Sequence, residues 1–174
     1  MNYVWKKVDG TKIENLGKYI KDYIIKFPSE YELFIGTDSQ RIRKRFTVLY
    51  AMVICIYRKG KGAHIIYSKH KRNDIKDKFT RLRTEVAYSI EIANYLTVND
   101  VLTDSSIMTI HIDLSPNIKY ASNTVYKEAI GWITGMGYLW KAKPNAPAAS
   151  YCSDYVVKNV VFEVENSPIP QLCS

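Results

Sequence analysis

The sequence predicts a mixed α/β fold in which five strands form one sheet in the order 3-2-1-4-5, strand 2 antiparallel, with helices on both faces and an extra N-terminal helix. Three observations carry that reading. Apolar residues recur at intervals of three and four along two long segments, which is the helical period. Other segments are dense in Val, Ile, Tyr and Phe, the residues that suit a pleated, half-buried surface. The order runs helix, strand, strand, strand, helix, strand, helix, strand, helix, so the first three strands form an antiparallel meander and the later ones need crossovers. Right-handed crossovers place strand 4 beside strand 1 and strand 5 outside strand 4.

The N-terminal helix is expected over residues 13–27, where Leu16, Ile20, Tyr23, Ile24 and Phe27 share a face and Pro28 stops the run. Strand 1 is YELFIGTD, Tyr31 to Asp38. A basic turn separates it from strand 2, Phe46 to Tyr57, whose nearly unbroken apolar character marks a central strand covered on both sides. The turn Lys59 to Gly62 leads into strand 3, AHIIYSK. Ile75, Phe79, Leu82, Val86, Ile90, Ala93 and Leu96 then make the strongest amphipathic stripe in the chain. Strand 4 is Ile107 to Asp113. Ser115-Pro116 opens the next helix, because proline in a first turn sacrifices no hydrogen bond, and Gly135 and Gly137 close it. Strand 5 is Tyr138 to Lys143, and Pro147 opens a last helix through AASYCSDYVVKN. The expected organisation is a single domain over 1–174, with a core over 31–159 and a C-terminal tail over 160–174.

Composition bounds the function classes. Apolar residues at 47% and charged residues at 24% are the balance of a soluble globular protein. No run approaches the roughly 18 apolar residues of a membrane span. The opening MNYVWKKVDG lacks a secretory signal's apolar stretch, so the expected location is cytoplasmic, without a membrane partner. Cys55, Cys152 and Cys173 are odd in number and widely spaced, so ordinary reduced thiols are expected rather than a disulfide framework. The 25 Lys and Arg against 17 Asp and Glu give a net charge of +8, which favours a polyanion as partner.

Strand order has a chemical consequence. Asp38 and Asp113 each close their strand at its carboxyl end, and parallel pairing of strands 1 and 4 brings them together. Like charges at that range demand a cation between them or a raised pKa, and oxygen-only ligands suit Mg²⁺ or Mn²⁺. Glu85 borders the apolar stripe of its helix and can reach the same end of the sheet, and Asp154 lies at the edge of the packed side of the last helix. Phosphodiester hydrolysis uses two divalent ions about 3.5 to 4 Å apart, and four carboxylates can hold such a pair.

Four stretches carry a family resemblance. IGTDSQ at Ile35 to Gln40 resembles the first-strand signature of the YkuK-like family of predicted ribonuclease H-fold proteins. LRTEVAYSIEIANYL resembles that family's glutamate helix, IHIDLSPN followed by SNTVYKEAIGWITGMGY its second aspartate region, and KPNAPAASYCSDYVVK its final helix. The resemblance implies a ribonuclease H-like fold. It also implies an acid on the first strand, on the first sheet-covering helix, at the end of the fourth strand and in the last helix, positions matched by Asp38, Glu85, Asp113 and Asp154. The expectation is a metal-dependent phosphodiesterase holding two Mg²⁺ or Mn²⁺ ions and cutting RNA, RNA–DNA hybrid or structured DNA. The rival classes are a non-catalytic nucleic-acid-binding module and an interaction scaffold.

Further residues join this reading. Lys71, Arg72, Lys78 and Arg81 lead into Glu85 as a phosphate-backbone track, extended by Arg41, Arg43, Lys44 and Arg45. Thr37, Ser39, Gln40, Ser115 and Asn117 flank the acids and can orient carboxylates or water. Trp132 and Tyr88 fall at apolar spacing and are expected in the core. His64, His70 and His111 lack the spacing of a zinc site, and neither a nucleophile elbow nor a Walker loop is present.

Overall fold

The computed structural model describes residues 3–28, 30–42, 46–102, 107–117, 119, 123–146 and 148–153. In chain order its elements are β1 (Trp5–Lys7), β2 (Lys12–Ile13), α1 (Leu16–Lys26), β3 (Tyr31–Arg41), β4 (Val48–Arg58), β5 (Gly62–Arg72), α2 (Lys78–Val98), β6 (Met108–Ile112), α3 (Asn123–Gly135), β7 (Leu139–Ala142) and a π-helical turn, Ala148–Ser153. One sheet holds seven strands in the order β2-β1-β5-β4-β3-β6-β7. The five strands expected from sequence are β3, β4, β5, β6 and β7, and they lie in the expected neighbour order. β4 is antiparallel to both β3 and β5, while β6 runs parallel to β3 and to β7.

Seven strands replace the expected five because β1 and β2 form a small hairpin that pairs with the outer edge of β5. Segments of three and two residues, mostly lysine, leave no readable period, and Trp5 is the buried position among them. β2 also uses Ile13, so α1 starts later than expected, where the Asn15 side chain accepts a hydrogen bond from the Lys18 backbone N–H at 2.9 Å.

The β4 segment Val48 to Ile56 is buried at every position, as a strand covered on both faces must be. Its alternate residues divide the molecule. Tyr50, Met52, Ile54 and Ile56 join Leu33, Ile35, Ile66 and Ile110 in the large core. Leu16 and Ile20 of α1, Leu82, Val86, Ile90 and Leu96 of α2, and Val125, Ala129 and Ile133 of α3 pack into that same core. Each such side chain, fully buried, contributes roughly 1.5–3 kcal/mol. The opposite face carries Ala51, Val53, Cys55 and Phe34, met by Ala148 and Cys152 of the π-helical turn.

Both faces are covered, unequally: among the described residues α1, α2 and α3 all pack on one face, and the π-helical turn, the described start of the expected last helix, meets the other. The expected last helix is that turn as far as Ser153, and its remainder lies outside the described residues. The expected start of α3 at Ser115-Pro116 is also corrected, since Ser115 to Asn117 form no regular structure and the helix starts at Asn123. There the Ser115 hydroxyl accepts from the Asn117 N–H at 3.2 Å, which ends the approach to helix in a turn. Gly137, at φ +81°, breaks the chain out of α3 as expected. Tyr88 is in the core but Trp132 is 43% exposed, and Phe79 is exposed on the first turn of α2. No described helix is long and apolar enough to cross a membrane.

Candidate functional site

The carboxyl ends of β3 and β6 position the first two acids. Their parallel register pairs Gly36 with His111, so Asp38 and Asp113 stand two residues further along in matching positions. Both follow the pleat of the face on which Phe34 stacks on His111, with ring centroids 4.5 Å apart. Asp38 Oδ1 accepts the Ser39 backbone N–H at 2.8 Å. The alternate residues of β3, Thr37 and Ser39, turn to the helix face and dock α2: the Thr37 and Ser89 hydroxyls lie 2.9 Å apart, and the Ser39 hydroxyl donates to Glu85 Oε1 at 2.5 Å.

Glu85 is thereby held at the end of the sheet, 5% exposed. Burial pushes its carboxyl well above the usual carboxylate range, and the negative charges of Asp38 and Asp113 push it further, against the opposing effects of the Ser39 hydrogen bond and Arg81. Glu85 and Asp113 line a narrow crevice together with Thr37, Ser89 and His111. Asp38, Glu85 and Asp113 are thus electrostatic neighbours at one end of the sheet. Asp154 lies outside the described residues. Among the described residues no three His, Cys, Asp or Glu side chains already form a closed metal-holding group. The donor set nonetheless fits a hard divalent ion, since it is all carboxylate oxygen and centres on a buried acid whose neighbours repel its charge.

Lys143 was not anticipated. Its Nζ lies 2.7 Å from Asp113 Oδ1. The signal was present in the strand order, because β6 and β7 pair with Ile112 opposite Ala142 and the residues that follow the two strands are Asp113 and Lys143. Ser89 was missed as well, although it lies one helical turn beyond Glu85 and its hydroxyl donates to the Glu85 carbonyl at 3.1 Å.

The basic residues gather at the same end. Arg41 closes β3 and donates to the backbone carbonyls of Ile75 and Lys76, at 3.4 and 3.1 Å, bracing the approach to α2. Lys71 is exposed on β5 in register with Leu49 of β4, itself paired with Gln40 two residues past Asp38. Lys78 is exposed at the start of α2 and Arg81 is half-buried one turn before Glu85. Arg72 is ion-paired with Asp74 and Arg83 with Glu128. Arg43, Lys44 and Arg45 lie outside the described residues. Ser115 and Asn117 engage in local turns, the Asn117 side chain accepting from the Lys119 N–H at 3.0 Å. Gln40 is partly exposed beside the acids.

A family model described as Ribonuclease H-like matches residues 15–158, a span from the edge of α1 to beyond the π-helical turn. No curated protein matches the chain.

Proposed function

Since the chain belongs to the ribonuclease H-like family, we propose that it is a nuclease that hydrolyses phosphodiester bonds with divalent metal at Asp38, Glu85 and Asp113, Asp154 being the fourth acid. The resemblance of its motifs to the YkuK-like group supports assigning it there within that family. The observation that carries the proposal is the convergence of Asp38 and Asp113 on a buried Glu85, an arrangement of like charges that a divalent cation relieves. Mg²⁺ or Mn²⁺, two ions in this reading, would be held by Asp38, Glu85 and Asp113 and would supply Lewis acidity for activating water and stabilising the leaving oxygen.

The chain's own residues prepare that centre. Ser39 fixes the orientation of Glu85, and the Thr37–Ser89 pair locks the strand bearing Asp38 to the helix bearing Glu85. Lys71, Lys78 and Arg81 offer positive charge to the phosphate backbone of RNA, RNA–DNA hybrid or structured DNA on the way into the acids. Asp38 is carried by β3 and Glu85 by α2, and Asp113 directly follows β6, so these three acids are anchored by elements of the core.

One observation favours a second reading, a non-catalytic nucleic-acid-binding module: the Lys143 ammonium already neutralises Asp113. Metal-dependent turnover separates the two. Purified protein is incubated with end-labelled RNA, hybrid and branched DNA in Mg²⁺, in Mn²⁺ and in chelator. Cleavage by wild type in metal, lost in chelator and reduced at least a hundredfold by Asp38→Asn, is the expected result. An Asp38→Asn protein that cuts as fast as wild type removes Asp38 from the chemistry, and binding without turnover of any substrate supports the second reading.

A further inference from the structure

Two cysteines meet on the sheet face opposite α1, α2 and α3, where the acidic mechanism has no use for them. Cys55 is buried at the centre of β4, between Phe34 of β3 and Ile65 of β5 in the register. Cys152, in the π-helical turn, is half-buried and packs with Ala51, Val53, Ile65 and Tyr67. The two side chains share this face: Ile65 packs against both the cluster that holds Cys55 and the one Cys152 packs on, and Ala148 of the same turn sits against Cys55. The chain separation of this pair conceals it in the sequence, because the turn returns to the sheet only after α2, β6, α3 and β7 have been laid down. The backbone N–H of Ala148 donates to His111 Nδ1 at 3.2 Å, which seats the other end of the same turn.

We propose that Cys55 and Cys152 are a redox modification site, which a hydroperoxide converts to an intramolecular disulfide and a dithiol reductant restores. Cys152, the more accessible, reacts first. Its sulfur attacks a peroxide oxygen, the O–O bond breaks, and the departing oxygen takes up a proton, leaving Cys152 as a sulfenic acid. The Cys55 sulfur then attacks the Cys152 sulfur, the S–O bond breaks, and water departs with the Cys55 thiol proton. With hydrogen peroxide the sum is two thiols and one peroxide giving one disulfide and two waters, the peroxide gaining the two electrons the sulfurs lose. The bond fastens the π-helical turn to the middle of the sheet at a point two residues before Asp154.

The test uses the full reduced chain treated with hydrogen peroxide in the presence of a free-cysteine peptide, then unfolded in an alkylating agent, digested and mapped by mass spectrometry. The expected product is a Cys55–Cys152 cross-linked peptide lighter by two hydrogens, with Cys173 alkylated. The link disappears on treatment with dithiothreitol, and the oxidised protein melts several degrees higher than the reduced form. Cys173→Ser retains the link. Cys55→Ser leaves a sulfenic acid on Cys152 that dimedone traps. The wild-type peptide map decides the matter by itself if that variant does not fold. Cys55 and Cys152 both remaining alkylatable after the reference peptide is oxidised, or cross-links running through Cys173, overturn the proposal. Because the readout is covalent, it stands or falls independently of nuclease activity.

Discussion

The surroundings of His64, away from the acidic centre, disfavour its protonated form. Its Nε2 lies 2.9 Å from the Tyr19 hydroxyl and its ring stacks on Tyr23, with centroids 4.3 Å apart. Burial lowers its pKa, Lys7 and Arg58 lower it further, and Asp9 opposes them. His111 is displaced in the same sense, down to about 4, by burial and then Lys141. A folded pKa below the unfolded one means that the unfolded chain binds the proton first as pH falls. This stabilisation is complete above the ordinary histidine value of about 6.5 and is lost as pH falls from there through the folded values. The histidine contribution to the wild-type urea midpoint is therefore expected to drop between about pH 7.5 and pH 5, opposed by Glu85, whose raised pKa adds stability as pH falls. His64→Phe, which keeps a ring against Tyr23, drops less over the same range; an equal drop in both proteins sinks this account. Lys143 supports a second residue-scale prediction. Its ammonium competes with any cation for Asp113, so Lys143→Met tightens Mn²⁺ binding, by up to about fivefold for a pair this exposed. Calorimetric titration showing weaker binding would instead give Lys143 a supporting role.

At the scale of elements, α2 and β3 are joined by hydroxyls, and the bonding is asymmetric. Ser89 contacts Thr37 and also donates to the Glu85 carbonyl, whereas among the described residues the Thr37 hydroxyl is bonded to Ser89. Thr37 and Ser89 are 2% and 1% exposed, so a hydroxyl left without its partner loses water as well. Ser89→Ala is therefore expected to cost about 1–3 kcal/mol in urea unfolding, and Thr37→Val less, because Ser89 keeps its carbonyl. The reverse order contradicts the hydrogen-bond assignment. The same elements mark what was legible in the sequence. β3, β4 and α2 announce themselves because each is long and has one dominant period, and the β3–β6 pairing of Asp38 with Asp113 follows from chain order alone. β1 and β2 are too short to show a period. The common face of α1, α2 and α3 was not legible, since an amphipathic stripe says that a helix packs on a sheet but not on which side. Trp132 fell on an apolar spacing yet is largely exposed, because α3 buries the stripe Val125, Ala129 and Ile133 and leaves Trp132 outside it. Lys143 was passed over because a lysine closing an edge strand reads as an ordinary solvent-facing residue until β7 is laid beside β6.

Over the whole molecule, the net charge of +8 has two possible meanings that differ in geometry. Charge that merely keeps the protein dispersed is equivalent wherever it sits, while charge that guides a nucleic acid acts only along the path of the phosphates. Lys71 and Lys78 are exposed at the acidic end of the sheet. Lys59 and Lys61 are equally exposed but occupy the β4–β5 turn at the opposite end. Arg72 and Arg83 are less informative, their guanidinium groups being engaged by Asp74 and Glu128. Binding is best measured in an Asp38→Asn background, so that cleavage does not consume the probe, by fluorescence anisotropy on one RNA and one hybrid duplex over a range of salt. Each lysine that neutralises a phosphate adds roughly 0.7 to 0.9 to the slope of log K against log salt. Replacing Lys71 and Lys78 together by Glu is expected to reduce the slope magnitude by about 2 and to weaken both probes alike, since phosphate contacts carry no base identity. Replacing Lys59 and Lys61 by Glu changes the net charge by the same amount and is expected to leave the slope nearly unaltered. Equal losses in the two double variants would mean that the positive charge acts as a diffuse field, and the track beside Glu85 would then have no claim to be the path by which a nucleic acid reaches the acids.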